Sequence, residues 1–479
     1  MAKLPHSERY ALVLLCLCIF LLVFGETMQP APRTQIYENI ICDNLIPPDD
    51  KSSPERCKAP AVQQELVFIK GAERLLGAFP TILAIPYALA ANVFGRRNVL
   101  TLALVGLFME ETWNFIICWF SPVFKIRLVL AAVGFEAIGG GFSVVTTIVH
   151  VIAADITTGE ARAGLFFAIH AIGIVAAILG QVTSSLLMPV NLWLPWVAGL
   201  CCILLAGAAS LFIRDSHQAA PPPPANVTGG ERQPLLLPHT DTRGPASDCE
   251  TVTGGSSPEN HRIRPRLVGA WESLQAGGRL VYGQSRLVFL LGLVLLCQMS
   301  EDSFPIMLLL YASKRFGWSF AKANLFWALG EGVQLVVLLA LLPLVGRLLK
   351  RRLGGFAKDV TLTQISAAFL GTGTLLIGLA GNVPVFVAGI VLTASAAGMQ
   401  SLLRCLITDS IKAEQVSLVY SIVTVLHVVG GALAGPLYSV AFVAGMRRGT
   451  QWAGLPFVLA GALGLLSFGL LLGLGRGRR

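Results

Sequence analysis

The sequence predicts an all-α membrane protein, with twelve transmembrane helices in two six-helix bundles on either side of a polar central segment. Three observations predict it. Only 13% of the 479 residues are charged and 54% are hydrophobic, with a mean hydropathy of +0.69. Soluble domains carry about 25% charge, so this chain lacks the polar surface that a water-facing globule of its length needs. Twelve apolar runs each reach the roughly 20 residues that a hydrocarbon crossing requires. Residues 215–284 interrupt the runs with a Pro-, Gly- and Ser-rich stretch that holds too little apolar surface to fold alone.

In the first half the runs lie near 10–28, 71–91, 99–120, 126–153, 162–187 and 193–213. The first follows Lys3 and Arg9 as a secretory signal would, but ETMQPAPRTQIYE after it offers no small-x-small cleavage pattern. It therefore reads as a spanning helix. In the second half the runs lie near 287–312, 321–346, 361–381, 383–409, 416–443 and 452–474. Short links at 188–191 and around Gly381 and Asn382 make helices five and six, and nine and ten, antiparallel neighbours. The expected division is 1–214, a first bundle; 215–284, a disordered cytosolic linker; and 285–479, a second bundle. The chain holds 49 glycines, as suits helices that approach closely in lipid.

The net charge of +9 is dispersed between the runs and forms no nucleic-acid patch, so the basic residues read as topology signals. Arg96, Arg97, Arg162, Arg347, Lys350, Arg351 and Arg352 fall in loops on one side, with the tail residues Arg476, Arg478 and Arg479. The other side holds fewer, among them Arg33, Lys51, Arg56, Lys58, Lys314 and Arg315. The bias puts both termini in the cytosol, in a plasma membrane or a vacuole- or lysosome-like membrane.

Asp155 and Glu160 in ADITTGE, after helix four, share their spacing with Asp409 and Glu414 in TDSIKAE, after helix ten. Basic clusters likewise follow helices two and eight, an internal repeat of the kind that builds transporters.

The loop PYALAANVFGRRNVL, residues 86–100, resembles the cytosolic GxLADRxGRR motif of the major facilitator superfamily, matching it at Gly95, Arg96 and Arg97. PAPRTQIYENIIC, GGGFSVVTTIVHVIAADITTGEAR, YASKRFGW and QWAGLPF are similar to fungal drug and metabolite facilitators of that superfamily. The resemblance implies a secondary transporter of a small organic molecule, working by alternating access, with Asn92, Gly95, Arg96, Arg97, Asp155 and Arg162 as its cytosolic gate motif. It departs from the family at Asn92, where the motif has Asp, and at Ala88, where it has Gly. Asn keeps a hydrogen-bonding amide but loses the charge that strengthens such bonds, so the outward-facing state is expected to be less favoured here.

Ionisable residues within spans cost roughly 2.5–3.5 kcal/mol each on insertion scales, so each needs a reason. Glu26, Glu73, Arg74, Glu110, Glu111, Glu136, His150, His170, Glu301, Asp302, Glu331 and His427 fall in or near the runs. Glu73 and Arg74 read as a paired or snorkelling set at the outer end of helix two, and His150 as a satisfied interfacial histidine. His170 reads equally as a structural histidine or a ligand. Adjacent Glu110 and Glu111 point about 100° apart and cannot both face one cavity. The candidates for coupling protons to substrate are Glu136, before the glycine run 139–141; Glu301 and Asp302, before the helix-breaking Pro305; and Glu331, between Gly330 and Gly332.

No Gly-rich phosphate loop, HExxH or CxxC pattern occurs, so an ATP-driven pump, a metal site, a cofactor and an enzyme activity find no support in the sequence. Cys42 and Cys57 lie in the first outward loop, on an oxidising face, and are the candidate disulfide. Glu231, Leu235 and Leu236 form an acidic-dileucine pattern similar to sorting signals read by adaptors. Asn226-Val227-Thr228 is a glycosylation acceptor pattern that a cytosolic linker would leave unmodified. The expected partners are a small-molecule substrate, protons, the lipid bilayer and a sorting adaptor, with the chain a monomer. Proton-coupled export is the leading expectation; proton-symport uptake and a transport-inactive receptor or scaffold on the same fold are the alternatives.

Overall fold

The computed structural model describes residues 6–46, 56–157, 160–213, 285–352, 355–411 and 416–476. Among these, every regular element is helical. The linker with Asn226, Glu231, Leu235 and Leu236 lies outside the described residues, as do the side chains of Asn92, Glu160 and Arg162.

The first crossing is α1 (His6–Met28) continued by α2 (Pro30–Leu45), bent where Pro30 and Pro32 withhold their N–H groups. Leu12, Leu15, Ile19 and Leu22 recur at helical spacing and form its buried stripe. The second crossing runs as α3 (Pro60–Leu76), α4 (Ala78–Ile82) and α5 (Ala84–Phe94). Pro80 and Pro86 each remove the bond to the carbonyl four residues earlier, and the interruptions at Gly77 and Leu83 fall beside those carbonyls. Among the described residues, eleven other elements are long and apolar enough to cross a membrane; this divided helix is the twelfth.

The rest of the first half is α6 (Arg96–Trp119), α7 (Val133–Gly139), α8 (Gly141–Ile156), α9 (Glu160–Leu187) and α10 (Trp193–Leu211). The second half is α11 (Ser285–Phe316), α12 (Phe320–Val336), α13 (Leu342–Arg352), α14 (Gly355–Leu379), α15 (Val383–Ala394), α16 (Met399–Thr408), α17 (Val416–Arg447) and α18 (Leu455–Arg476). Gly95 joins α5 to α6 at φ 90°, which a side chain would strain.

The interruptions repeat between the halves. The fourth crossing breaks between α7 and α8 and its counterpart, the tenth, between α15 and α16. The second is divided at Gly77 and Leu83, and the eighth carries a π-helical turn at Val337–Leu341. Interrupted helices at matching positions of two repeats point to the binding site in transporter folds.

Three expectations change. Helix two begins at Pro60, not near 71, so Glu73 and Arg74 sit within the second crossing rather than at its outer end. Pro305 lies inside an unbroken α11, because neighbouring helices can satisfy the group that a membrane proline frees. The break occurs instead at Gly140 and Gly141, whose φ values of 77° and 67° lie in the left-handed region. Arg33 is not a loop charge: α2 carries it into the bundle, where its side chain is 17% exposed.

Packing of the halves is asymmetric. One apolar core draws Tyr37, Leu66 and Trp196 from the first half together with Tyr311, Phe386 and Phe457 from the second. A second core holds only first-half residues such as Leu15, Leu104 and Val145, and a third only second-half residues such as Leu290, Leu403 and Val423. The shared core lies at the face of the first loop. There Lys58 Nζ donates to Ser313 Oγ at 2.6 Å, Lys314 Nζ donates to the Lys58 carbonyl at 2.5 Å, and Asn324 Nδ2 donates to the Gln181 carbonyl at 2.9 Å. The halves are thus joined at the first-loop face and hold separate cores toward the termini.

Candidate functional site

Between the halves lies a cavity of about 300 Å³. Arg33, Lys70, Glu73, Arg74, Glu110, Asn114 and Glu136 line it from the first half, and Ile306, Leu309, Leu310 and Trp327 from the second. Helical geometry explains which charges arrive. Glu110 and Asn114 are four residues apart on α6 and share a face. Glu111, one residue on, turns away and takes Arg33 Nη1 at 2.6 Å. Lys70 and Glu73, three apart on α3, pair at 2.9 Å, and Tyr37 Oη donates to Glu73 at 3.1 Å.

Arg74 crosses between the halves, its Nη2 2.6 Å from Asp302 Oδ1. Asp302 also accepts from Gln298 Nε2 at 3.2 Å, and His427 Nδ1 donates to Gln298 Oε1 at 2.5 Å. Gln400 Nε2 extends this chain by donating to Glu301 Oε2 at 3.0 Å. The polar network therefore ties the second crossing to the seventh, tenth and eleventh. Nearby, a Cβ at Gly435 would lie 2.8 Å from the Gly71 carbonyl and 2.9 Å from Arg74 Cβ, so small residues set the approach of the two helices.

The broken fourth crossing positions Glu136. Its carboxylate folds over Gly141, where a Cβ would overlap Glu136 Oε1. Tyr87 Oη donates to the carbonyls of Ala137 (3.1 Å) and Ile138, groups that the break leaves without helical partners. Close packing of α7 on α6 is set by Gly106, where a Cβ would stand 3.1 Å from the Gly139 amide nitrogen.

Of the four coupling candidates, Glu136 lines the cavity and Asp302 reaches its edge through Arg74. Unlike Glu136, Asp302 has a fixed cation, Arg74. Glu301 is held by Gln400, and Glu331 accepts from Trp327 Nε1 at 3.3 Å; neither is among the residues that line the cavity. Arg33 and Lys70 were not candidates in the sequence. One lay among loop charges and the other at the expected start of a span, and nothing local distinguished them from topology signals.

Elsewhere, Arg96 pairs with Asp155, fastening the α5–α6 turn to the end of α8. Cys42, on α2, and Cys57 are joined by a disulfide with Cα atoms 5.1 Å apart, just before Lys58. His150 Nδ1 bonds the Thr146 carbonyl at 2.7 Å, while His170 is exposed. No group of three or more potential metal ligands occurs among the described residues.

Crossings in two repeated halves, joined at one face around a charged cavity, define a multi-pass membrane protein built as a transporter is. The family model for the Major Facilitator Superfamily matches residues 75–363, more than half of the sequence, and the chain belongs to that superfamily. It is 29% identical over 470 residues to the MFS efflux pump atnC of Emericella nidulans, covering 94% of this chain and 85% of that protein. It is 26% identical over 454 residues to the efflux pump ustT of Aspergillus flavus, covering 93% and 84%. Among solved structures, its fold is similar to a POT family transporter in complex with a thioalcohol-conjugated peptide, with a TM-score of 0.62 at 14% identity, covering 96% and 95% of the two chains. The D-xylose-proton symporter gives 0.61 at 13% identity, covering 96% of each chain. The human organic anion transporter MFSD10 gives 0.58 at 16% identity, covering 98% and 100%. At these identities the structures share the fold with this chain. The protein is accordingly a transmembrane transporter of small molecules.

Proposed function

We propose that this transporter exports a small organic compound in exchange for protons. The observation that carries the reading is the pair Glu110 and Glu136. Glu136 lines the cavity with Glu110, and neither carboxylate makes a hydrogen bond or ion pair among the described residues. A carboxylate in that position holds either a proton or a substrate, and alternation between the two is what an exchanger requires. Export is favoured by the names of the fungal relatives, efflux pumps in two of the matches. The Arg74–Asp302 pair and the network to Glu301 connect the site to the second half, so that occupancy of the cavity bears on how the halves meet. Glu331 extends the same carboxylate set beyond the cavity wall.

Both termini lie in the cytosol in this reading. The Cys42–Cys57 disulfide supports it, because disulfides persist on an oxidising face. The halves then close outside and the cavity communicates inward. Residues 215–284 act as a cytosolic linker on which Glu231, Leu235 and Leu236 meet a sorting adaptor, in a plasma or vacuole-like membrane, with the chain a monomer. Loss of the Asp charge at Asn92 weakens closure of the cytosolic face.

The test is flux in sealed vesicles holding the purified protein, with an imposed pH gradient and a panel of labelled metabolites. Efflux that collapses with the gradient, and that E136Q abolishes, is the expected result. Flux of the same compound indifferent to the gradient refutes the coupling.

A further inference from the structure

The charges around the cavity do not balance, and the imbalance has a sign. Its three cations are each taken by a carboxylate: Arg33 by Glu111 at 2.6 Å, Lys70 by Glu73 at 2.9 Å and Arg74 by Asp302 at 2.6 Å. Glu110 and Glu136 are left with no hydrogen-bonded cation. Beside them Asn114 is 2% exposed, and its Oδ1 has no hydrogen-bond partner among the described residues. Buried polar atoms are nearly always satisfied, so an orphaned acceptor that lines a cavity marks a place for a donor. Glu110 and Asn114 share a face of α6, and α7 brings Glu136 against that helix. The charge left over is therefore anionic, Glu110 and Glu136 when ionised beside the Asn114 acceptor, while the unpartnered donor Arg33 Nε belongs to a guanidinium that Glu111 already neutralises. Apart from Thr34, whose hydroxyl donates to the Pro30 carbonyl, the remaining wall is apolar, formed by Val129, Val133, Ile306, Leu309 and Leu310 with the ring of Trp327. An aromatic face attracts a cation as well as an apolar body.

Resting on the reading of this cavity as the transport site, we infer that the substrate is an organic cation: a protonated amine on a compact apolar body, its N–H groups shared among Glu110, Glu136 and Asn114. An ammonium carries three donors and no acceptor, which matches the three acceptors of Glu110, Glu136 and Asn114. An anionic substrate would meet only cations whose charge a carboxylate already offsets. A cavity of about 300 Å³ sits at the small end of ligand pockets, which suits a body of one or two rings.

The probe is labelled tryptamine, bound at equilibrium to the purified full chain in detergent at neutral pH, beside its neutral and anionic counterparts tryptophol and indole-3-acetate. Tryptamine is expected to bind saturably and at least about tenfold more tightly than tryptophol, with no saturable binding of indole-3-acetate. E110Q and E136Q are each expected to weaken tryptamine roughly tenfold to a hundredfold, the range of a charge-assisted bond, and to leave tryptophol unmoved. The ligand series on the unaltered chain stands even if a variant folds poorly. Absence of saturable tryptamine binding overturns the inference, as does equal or tighter binding of the alcohol or the acid. No gradient is present, so the result is independent of coupling. Amine binding without gradient-driven amine flux in vesicles would refute the exchange mechanism and leave the cation site standing. Gradient-driven flux confined to anions would do the reverse.

Discussion

Breaking the Arg74–Asp302 pair should open the first-loop face, and the two halves of the pair should not be equivalent. Arg74 and Asp302 are 228 residues apart in sequence and meet across the interface between the halves at 2.6 Å. Their side chains are 44% and 7% exposed respectively. A hydrogen bond to a charged group contributes about 1.5–3 kcal/mol when buried, and an exposed ion pair about 0.2–1 kcal/mol. A pair with one partner in each environment falls between, at about 1–2 kcal/mol. That corresponds to a shift of roughly 5–30-fold in the balance between faces. D302N leaves a half-exposed guanidinium that water can solvate. R74Q strands a buried carboxylate with Gln298 at 3.2 Å as its remaining donor, which costs more. The assay places a cysteine at Ser313, which is 2% exposed where the halves meet, and follows its reaction with a membrane-impermeant maleimide. Labelling should accelerate in D302N, accelerate further in R74Q, and fall back toward the parent in the R74Q/D302N double variant. Unchanged labelling in R74Q would refute the reasoning, because a lock whose removal moves no equilibrium is no lock.

Other changes probe the parts around it. Gly141→Ala forces a side chain into left-handed backbone and onto the Glu136 carboxylate; a loss of about 1–2 kcal/mol and of flux is expected, read by thermal unfolding and vesicle transport. Tyr87→Phe removes the donor to the Ala137 and Ile138 carbonyls; a loss of about 1 kcal/mol or more should appear as a lower Tm, and an unchanged Tm would mean that water replaces the hydroxyl. Cys57→Ser opens a disulfide whose ends are 15 residues apart, worth about 3 kcal/mol by loop entropy. It frees the segment that carries Lys58, so the Ser313→Cys labelling rate should rise, as it should when the parent is reduced.

Hydropathy in the sequence was enough to place the crossings, since apolar length and the cost of leaving backbone unbonded in lipid are properties of each segment alone. Gly95 was legible only through its match to the family's loop motif; its φ of 90° at the tight interhelical turn comes from the structure. The second crossing was misjudged at its outer end: residues 60–70 are polar enough to look like loop, yet Val62, Leu66 and Ile69 are buried against the protein.

Hydropathy, loop charge and motif identify a twelve-crossing facilitator with more charge in its spans than packing needs. Which of those charges pair with each other, and which remain, follows from how the helices pack in three dimensions. Glu111 and Glu110 differ by one residue, yet one neutralises Arg33 and the other faces the cavity free. Asp302 looked as available as Glu136 until Arg74 arrived from the other half. Partners of this kind lie on separate helices, and which helices meet is set by packing between the bundles. A one-dimensional pattern carries the cost of burying a charge but not the address of the group that offsets it.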